Sequence, residues 1–164
     1  MASGKWTWSD QKQTRVIGVL DDSDSEWCDQ LEIAPGDAIV GKVLCVCAAS
    51  RIAREVLADQ SADHVHEREA LALLEEWIDA PTDERFERIC TIIFEDAEQQ
   101  PFLTCDPHGV VWWALRTATS SVGNYEAGWA LKGVCSAATS AGMDDNVQRE
   151  IVKQELLSRA GRSE

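Results

Sequence analysis

Apolar residues recur every third or fourth position through most of the chain, and this spacing constrains the fold more than any other feature. A helix turns once in about 3.6 residues, so positions i, i+3, i+4 and i+7 share one face. Cys45, Ala48, Ala49, Ile52, Ala53 and Val56 form one such stripe. Ala70, Leu73, Leu74, Trp77 and Ile78 form a second, opposite Glu69, Glu75, Glu76 and Asp79. The third stripe, Phe86, Ile89, Cys90, Ile93 and Ala97, follows Pro81-Thr82-Asp83-Glu84, whose proline and early acids suit a helix N-terminus. A fourth, Ala127, Ala130, Leu131, Val134, Cys135, Ala138 and Ala141, is closed by Gly142 as a C-cap. Asp144 then caps a last helix with Val147, Ile151 and Val152 inward, ending near Gly161.

Two regions are less decided. The run Val110, Val111, Trp112, Trp113, Ala114, Leu115 is short and wholly apolar, which suits a buried strand or a buried helix alike. Helix is favoured, because Val111, Ala114, Leu115 and Ala118 continue the spacing and Pro107 fits a first turn. Within the N-terminal segment, residues 1–40, Val16 to Leu20 reads as a helix or as a pair of short strands. The acids between Asp21 and Glu32, with serines and no base among them, read as an exposed loop.

The expected fold is therefore mainly α, one irregular bundle of five to seven helices over residues 41–161. Its expected core is Trp77, Phe86, Ile89, Ile93, Trp112, Trp113, Leu131 and Val134. The alanine-rich stripes at 48–53 and 127–141 would let helices approach closely. Residues 1–40 either pack on this bundle or dock elsewhere. A length of 164 residues suits one domain, and 45% hydrophobic residues suffice for its core.

Charge narrows the function classes. The chain holds 29 acids against 15 bases, a net −14, which argues against general binding to nucleic acid, where cations must replace phosphate counterions. The excess is local: residues 59–100 carry 13 acids and 3 bases, and so supply −10 of the −14. A surface formed by Asp63, Glu67, Glu69, Glu75, Glu76, Asp79, Asp83, Glu84 and Glu87 would attract a basic protein partner. Trp6, Trp8 and Trp27 fall outside the clear stripes and form a candidate aromatic interface.

Catalytic signposts are few. Cys105-Asp106-Pro107-His108 sets a thiol and an imidazole three residues apart, as a nucleophile with its base or as half of a zinc site. Zinc sites usually show two closely spaced ligand pairs, and the second pairs here, Cys45/Cys47 and His64/His66, have only one residue between them. A structural loop cysteine is the favoured reading, and no metal or cofactor is expected. Asp22-Ser23-Asp24-Ser25-Glu26 starts like a calcium loop, but Trp27 stands at the sixth position and Ile33 at the twelfth, so the EF-hand pattern fails. No Walker sequence, dinucleotide fingerprint, nucleophile elbow or His-Glu-x-x-His is present. The His64-x-His66 pair among acids reads as solvated surface. Without a signal segment, an N-myristoylation pattern or a membrane-spanning run, the expected location is the cytoplasm, where the six cysteines stay reduced.

The segment Ala72-Leu73-Leu74-Glu75-Glu76-Trp77-Ile78-Asp79-Ala80-Pro81-Thr82-Asp83-Glu84, then Val111-Trp112-Trp113-Ala114 and the alanine-rich helix from Ala127 to Ala141, resembles immunity proteins of bacterial polymorphic-toxin systems and related uncharacterised helical domains. The resemblance covers about residues 43–160 and rests on helix order and tryptophan placement. It implies a cytosolic protein that binds a toxin or another protein, with no catalytic residues to carry over. The leading expectation is a non-enzymatic protein-binding module, an immunity-like inhibitor or adaptor. The alternatives are a self-associating assembly protein, able to form homo-oligomers, and then a metal- or thiol-dependent enzyme.

Overall fold

Every segment with helical periodicity is helical in the computed structural model, which describes residues 10–21, 27–34, 36, 38–58, 65–79, 82–99, 107–119 and 126–159. Those residues form α1 (Asp10–Asp21), α2 (Trp27–Ile33), α3 (Ala38–Ala58), α4 (Val65–Asp79), α5 (Asp83–Gln99), α6 (Pro107–Ala118), α7 (Glu126–Ser140) and α8 (Asp145–Arg159). Among them there are eight helices and no strand, one helix beyond the expected range. The difference comes from the N-terminal segment. Val16 to Leu20 lies in α1, and part of the expected acidic loop is α2.

That loop expectation is corrected at both ends. Asp21 closes α1, and Asp29 and Glu32 lie within α2. Helix α2 has only seven residues, too few to show a repeat, yet Trp27, Cys28 and Leu31 line its buried side. Lys153 Nζ meets Asp21 at 2.7 Å and Lys132 Nζ meets Asp29 at 2.7 Å, so bases distant in sequence neutralise acids that look isolated in it.

Local capping explains the helix ends. Asp144 Oδ1 accepts the Val147 N–H at 3.0 Å, and Thr82 Oγ1 accepts the Arg85 N–H at 3.3 Å. At the end of α7, the Gly142 N–H reaches the Thr139 carbonyl and the Met143 N–H reaches the Ala138 carbonyl, each at 3.0 Å. That pair of bonds is a Schellman motif, and it needs the left-handed backbone that Gly142 supplies at φ 108°. Cations from other helices satisfy further terminal carbonyls: Arg15 reaches Ala34 at 2.9 Å and Arg149 reaches Leu20 at 3.3 Å.

Helix α3 is the centre of the molecule, packed against α2, α4, α6, α7 and α8. Its residues Leu44 to Ser50, with Ile52 and Ala53, are wholly buried on every side rather than along one stripe. Trp77, Ile89, Leu131 and Val134 are in the core as expected, while Phe86 and Trp113 pack against it half-buried. Trp112 is half-buried too, and the Ile93 side chain lies outside the described residues. Val16, Leu20, Trp27 and Leu31 belong to the same core, so α1 and α2 pack on the bundle.

Close approach rests on helical glycines as much as on alanines. A Cβ at Gly41 would strike the Glu32 carbonyl oxygen, and one at Gly133 would strike the Trp113 ring. Helix α8 turns Val152 inward and packs Ile151 against the core as expected, but its buried face also takes in polar side chains. Gln148, Val152, Glu155 and Leu156 are buried, whereas Val147, expected inward, is 46% exposed. Gln148 is satisfied there by the Met143 carbonyl at 2.7 Å and Thr139 Oγ1 at 2.9 Å. Glu155 receives Arg51 at 3.2 Å and Arg54 at 3.1 Å.

Candidate functional site

The acidic surface is carried by α4 and α5. On α4, Glu69, Glu76 and Asp79 are exposed on one stripe, at spacings of seven and three residues. On α5, Asp83, Glu84 and Glu87 are exposed together, opposite the buried Ile89. Asp63 lies outside the described residues, and Glu67 is placed in α4 by its backbone alone. The two helices pack on each other, and Arg88 reaches Glu76 at 3.6 Å across them.

These acids do not all have the same role. Glu75 points the other way, accepting from Ser50 Oγ at 2.7 Å and facing Arg54 at 3.6 Å. Through Arg54 it joins Glu155, Arg51 and Glu55 in an ion network that ties α3 to α4 and α8. Glu75 therefore belongs to the bundle's internal bracing. Among the described residues, Glu69, Asp79, Asp83, Glu84 and Glu87 form no ion pair. Clustered unpaired carboxylates project a negative potential into solvent.

The aromatic expectation is revised. Trp6 and Trp8 lie outside the described residues. Trp27 is only 4% exposed, its indole N–H donating to Asp145 at 3.3 Å, so it is a core residue with one polar handle. Among the described residues the exposed tryptophan is Trp129, at 55%. Its ring stands edge-on to Trp113, centroids 5.3 Å apart, and Trp113 in turn stands edge-on to Trp112 at 5.2 Å. Arg116 lies over the Trp112 ring at 5.9 Å. Spacing did hint at this: Ala127, Ala130 and Val134 place position 129 off the apolar stripe of α7.

Reasoning from sequence missed a buried charged region between α2, α3 and α7. Glu32 is 5% exposed, and its Oε1 accepts the Gly128 N–H at 2.9 Å, which caps the N-terminus of α7 with a carboxylate. Its Oε2 has no hydrogen-bond partner among the described residues. Burial, reinforced by the fields of Asp29 and Glu126, raises the Glu32 pKa against the lowering effect of the Gly128 bond and of Lys42. Lys42 is buried as well, its ammonium 5.3 Å from the Trp77 ring centroid and 5.2 Å from that of Phe86. Burial lowers the Lys42 pKa, while Cys90, Glu32 and Glu126 act the other way. Nothing in the local sequence around Glu32 or Lys42 distinguishes them from surface charges, because their burial depends on three separate helices.

The catalytic candidates are not assembled into a site by the described residues. Cys105 lies outside them, and His108 is placed on the first turn of α6 by its backbone alone. No group of three or more His, Cys, Asp or Glu among the described residues could hold a metal ion. Cys28, Cys45, Cys47, Cys90 and Cys135 are free thiols, and burial pushes the Cys45 pKa up well above its ordinary value. No helix among the described residues is long and apolar enough to cross a membrane. Compared with known proteins, the chain matches no protein-family model, no curated protein and no solved structure.

Proposed function

We propose that the protein is a non-enzymatic binding module that engages a basic protein partner through the outer faces of α4 and α5, in the manner of an immunity-like inhibitor or adaptor. The observation carrying this reading is the set of exposed, unpaired carboxylates Glu69, Asp79, Asp83, Glu84 and Glu87 on two packed helices. Such a surface speeds encounter with a cationic partner and selects against anionic ones. The resemblance to immunity proteins of bacterial toxin systems points the same way, toward a cytoplasmic setting and a toxin as partner.

The test is affinity capture from the native host, with wild type and a Glu69→Lys/Asp79→Lys/Asp83→Lys/Glu84→Lys variant side by side at low and high salt. A basic protein should be retained by wild type at low salt, and four reversals should weaken its binding at least about tenfold. Retention indifferent to both salt and charge reversal would reject the reading.

A second reading, self-association through an aromatic surface, is favoured by Trp129 and its edge-on neighbour Trp113. Light scattering at high concentration distinguishes the two. An oligomer that Trp129→Ala converts to monomer supports self-association, and a monomer throughout removes it.

A further inference from the structure

Cys28 of α2 and Cys135 of α7 are 107 positions apart in the chain, yet their sulfurs stand 3.5 Å apart. Both contribute to the wall of an open pocket of about 350 Å³, with Trp27, Lys132, Ser136, Asp145 and Arg149. Two contacts hold α2 and α7 in register around the thiols, and a third ties α2 to α8. Glu32 accepts from Gly128 at 2.9 Å, Asp29 meets Lys132 at 2.7 Å, and Trp27 donates to Asp145 at 3.3 Å on the adjoining α8. The sulfurs therefore meet in a fixed frame. A disulfide needs about 2.05 Å between them, a closure of about 1.5 Å.

We propose that Cys28 and Cys135 are a dithiol–disulfide site, oxidised by a small-molecule disulfide of the glutathione type that enters through this pocket. The thiolate of one cysteine attacks a sulfur of the oxidant, forming a mixed disulfide and expelling one glutathione thiolate. The second cysteine, as thiolate, then attacks the protein sulfur of that mixed disulfide, forms the Cys28–Cys135 bond and expels the second glutathione thiolate. Two protein thiols are oxidised, one oxidant disulfide is reduced to two thiols, and the two protons lost by the cysteines end on the leaving thiolates or in solvent. The Cys135 thiol has its pKa raised by the hydrogen bond with Cys28 and by burial, so it forms a thiolate less readily and exchange at this sulfur is slow at neutral pH. Closure would staple α2 to α7 and remove one long loop's freedom from the unfolded chain.

Incubating the purified full chain with oxidised glutathione, alkylating the remaining thiols and mapping peptides under non-reducing conditions tests this. The expected result is an intramolecular link between the Cys28 and Cys135 peptides, a mass lower by about 2 Da, and reversal by a reductant. The oxidised protein should also melt higher, on the order of 5–10 °C. Cys28→Ser and Cys135→Ser should each abolish the link, and Cys45→Ser should leave it intact. Wild-type protein alone keeps the proposal open to refutation should a variant fold poorly. It is overturned if both thiols stay alkylatable, if the products stop at mixed disulfides, or if Cys28 links to Cys45 instead.

Discussion

Glu32 is a carboxylate at a helix N-terminus, where a negative charge is favoured, and also deep in the protein, where a charge is disfavoured. Burial wins, so its folded-state pKa lies above the unfolded value. The folded chain then binds more protons than the unfolded chain above about pH 4.5, and stability falls as pH rises through the folded-state value. Glu32→Gln keeps an oxygen for the Gly128 N–H and cannot ionise. Denaturant melts across pH should show wild type losing stability relative to Glu32→Gln as pH rises from about 4.5, with a flat difference disproving the assignment. Trp27 makes a related point at the same scale. A tryptophan among acids looks like an exposed interface residue, but its indole N–H finds Asp145 on a helix 118 positions away and the ring is buried.

At the scale of the element, helix ends were legible because capping bonds span only a few residues. Asp144, Gly142 and the Thr82 region do what their types suggest. Helix contacts were less legible. Gly18 and Gly41 are both helical glycines, and neither shows from local sequence what it faces. A Cβ at Gly18 would meet nothing within 4 Å, whereas one at Gly41 would strike the backbone of α2. Gly18→Ala should therefore stabilise the protein by about 0.5–1 kcal/mol, from helix propensity alone. Gly41→Ala should destabilise it by about 3 kcal/mol or more, because backbone cannot move aside as a side-chain tip can. Thermal melts of the two variants should shift in opposite directions. On α8, Val152 and Ile151 face the core as expected, but the outward position of Val147 and the burial of polar neighbours were not legible, for a similar reason. Gln148 and Glu155 count as polar in any periodic pattern, yet carbonyls and arginines from elsewhere make burying them tolerable.

For the whole molecule, the organising fact is the central position of α3, whose stripe looked one-sided and proved buried all round between Leu44 and Ser50. Leu44 lies off the expected stripe and is fully buried nonetheless. Leu44→Ala should cost about 2–5 kcal/mol in denaturant unfolding, as a core position does, and a loss below about 1 kcal/mol would place it at the surface. The charge of the molecule divides by the same logic. The acids of α4 and α5 include Glu75, drawn into bracing with Ser50 and Arg54, and an outer set left to solvent. Sequence alone determined the mainly α class, the positions of most helices and the concentration of acid in residues 59–100, because periodicity, caps and composition act over a turn or two. Only the tertiary structure decided which acids remain outward, which tryptophan is exposed and which two cysteines meet. Each of those outcomes depends on a partner supplied by a helix distant in sequence, and no local pattern encodes its arrival.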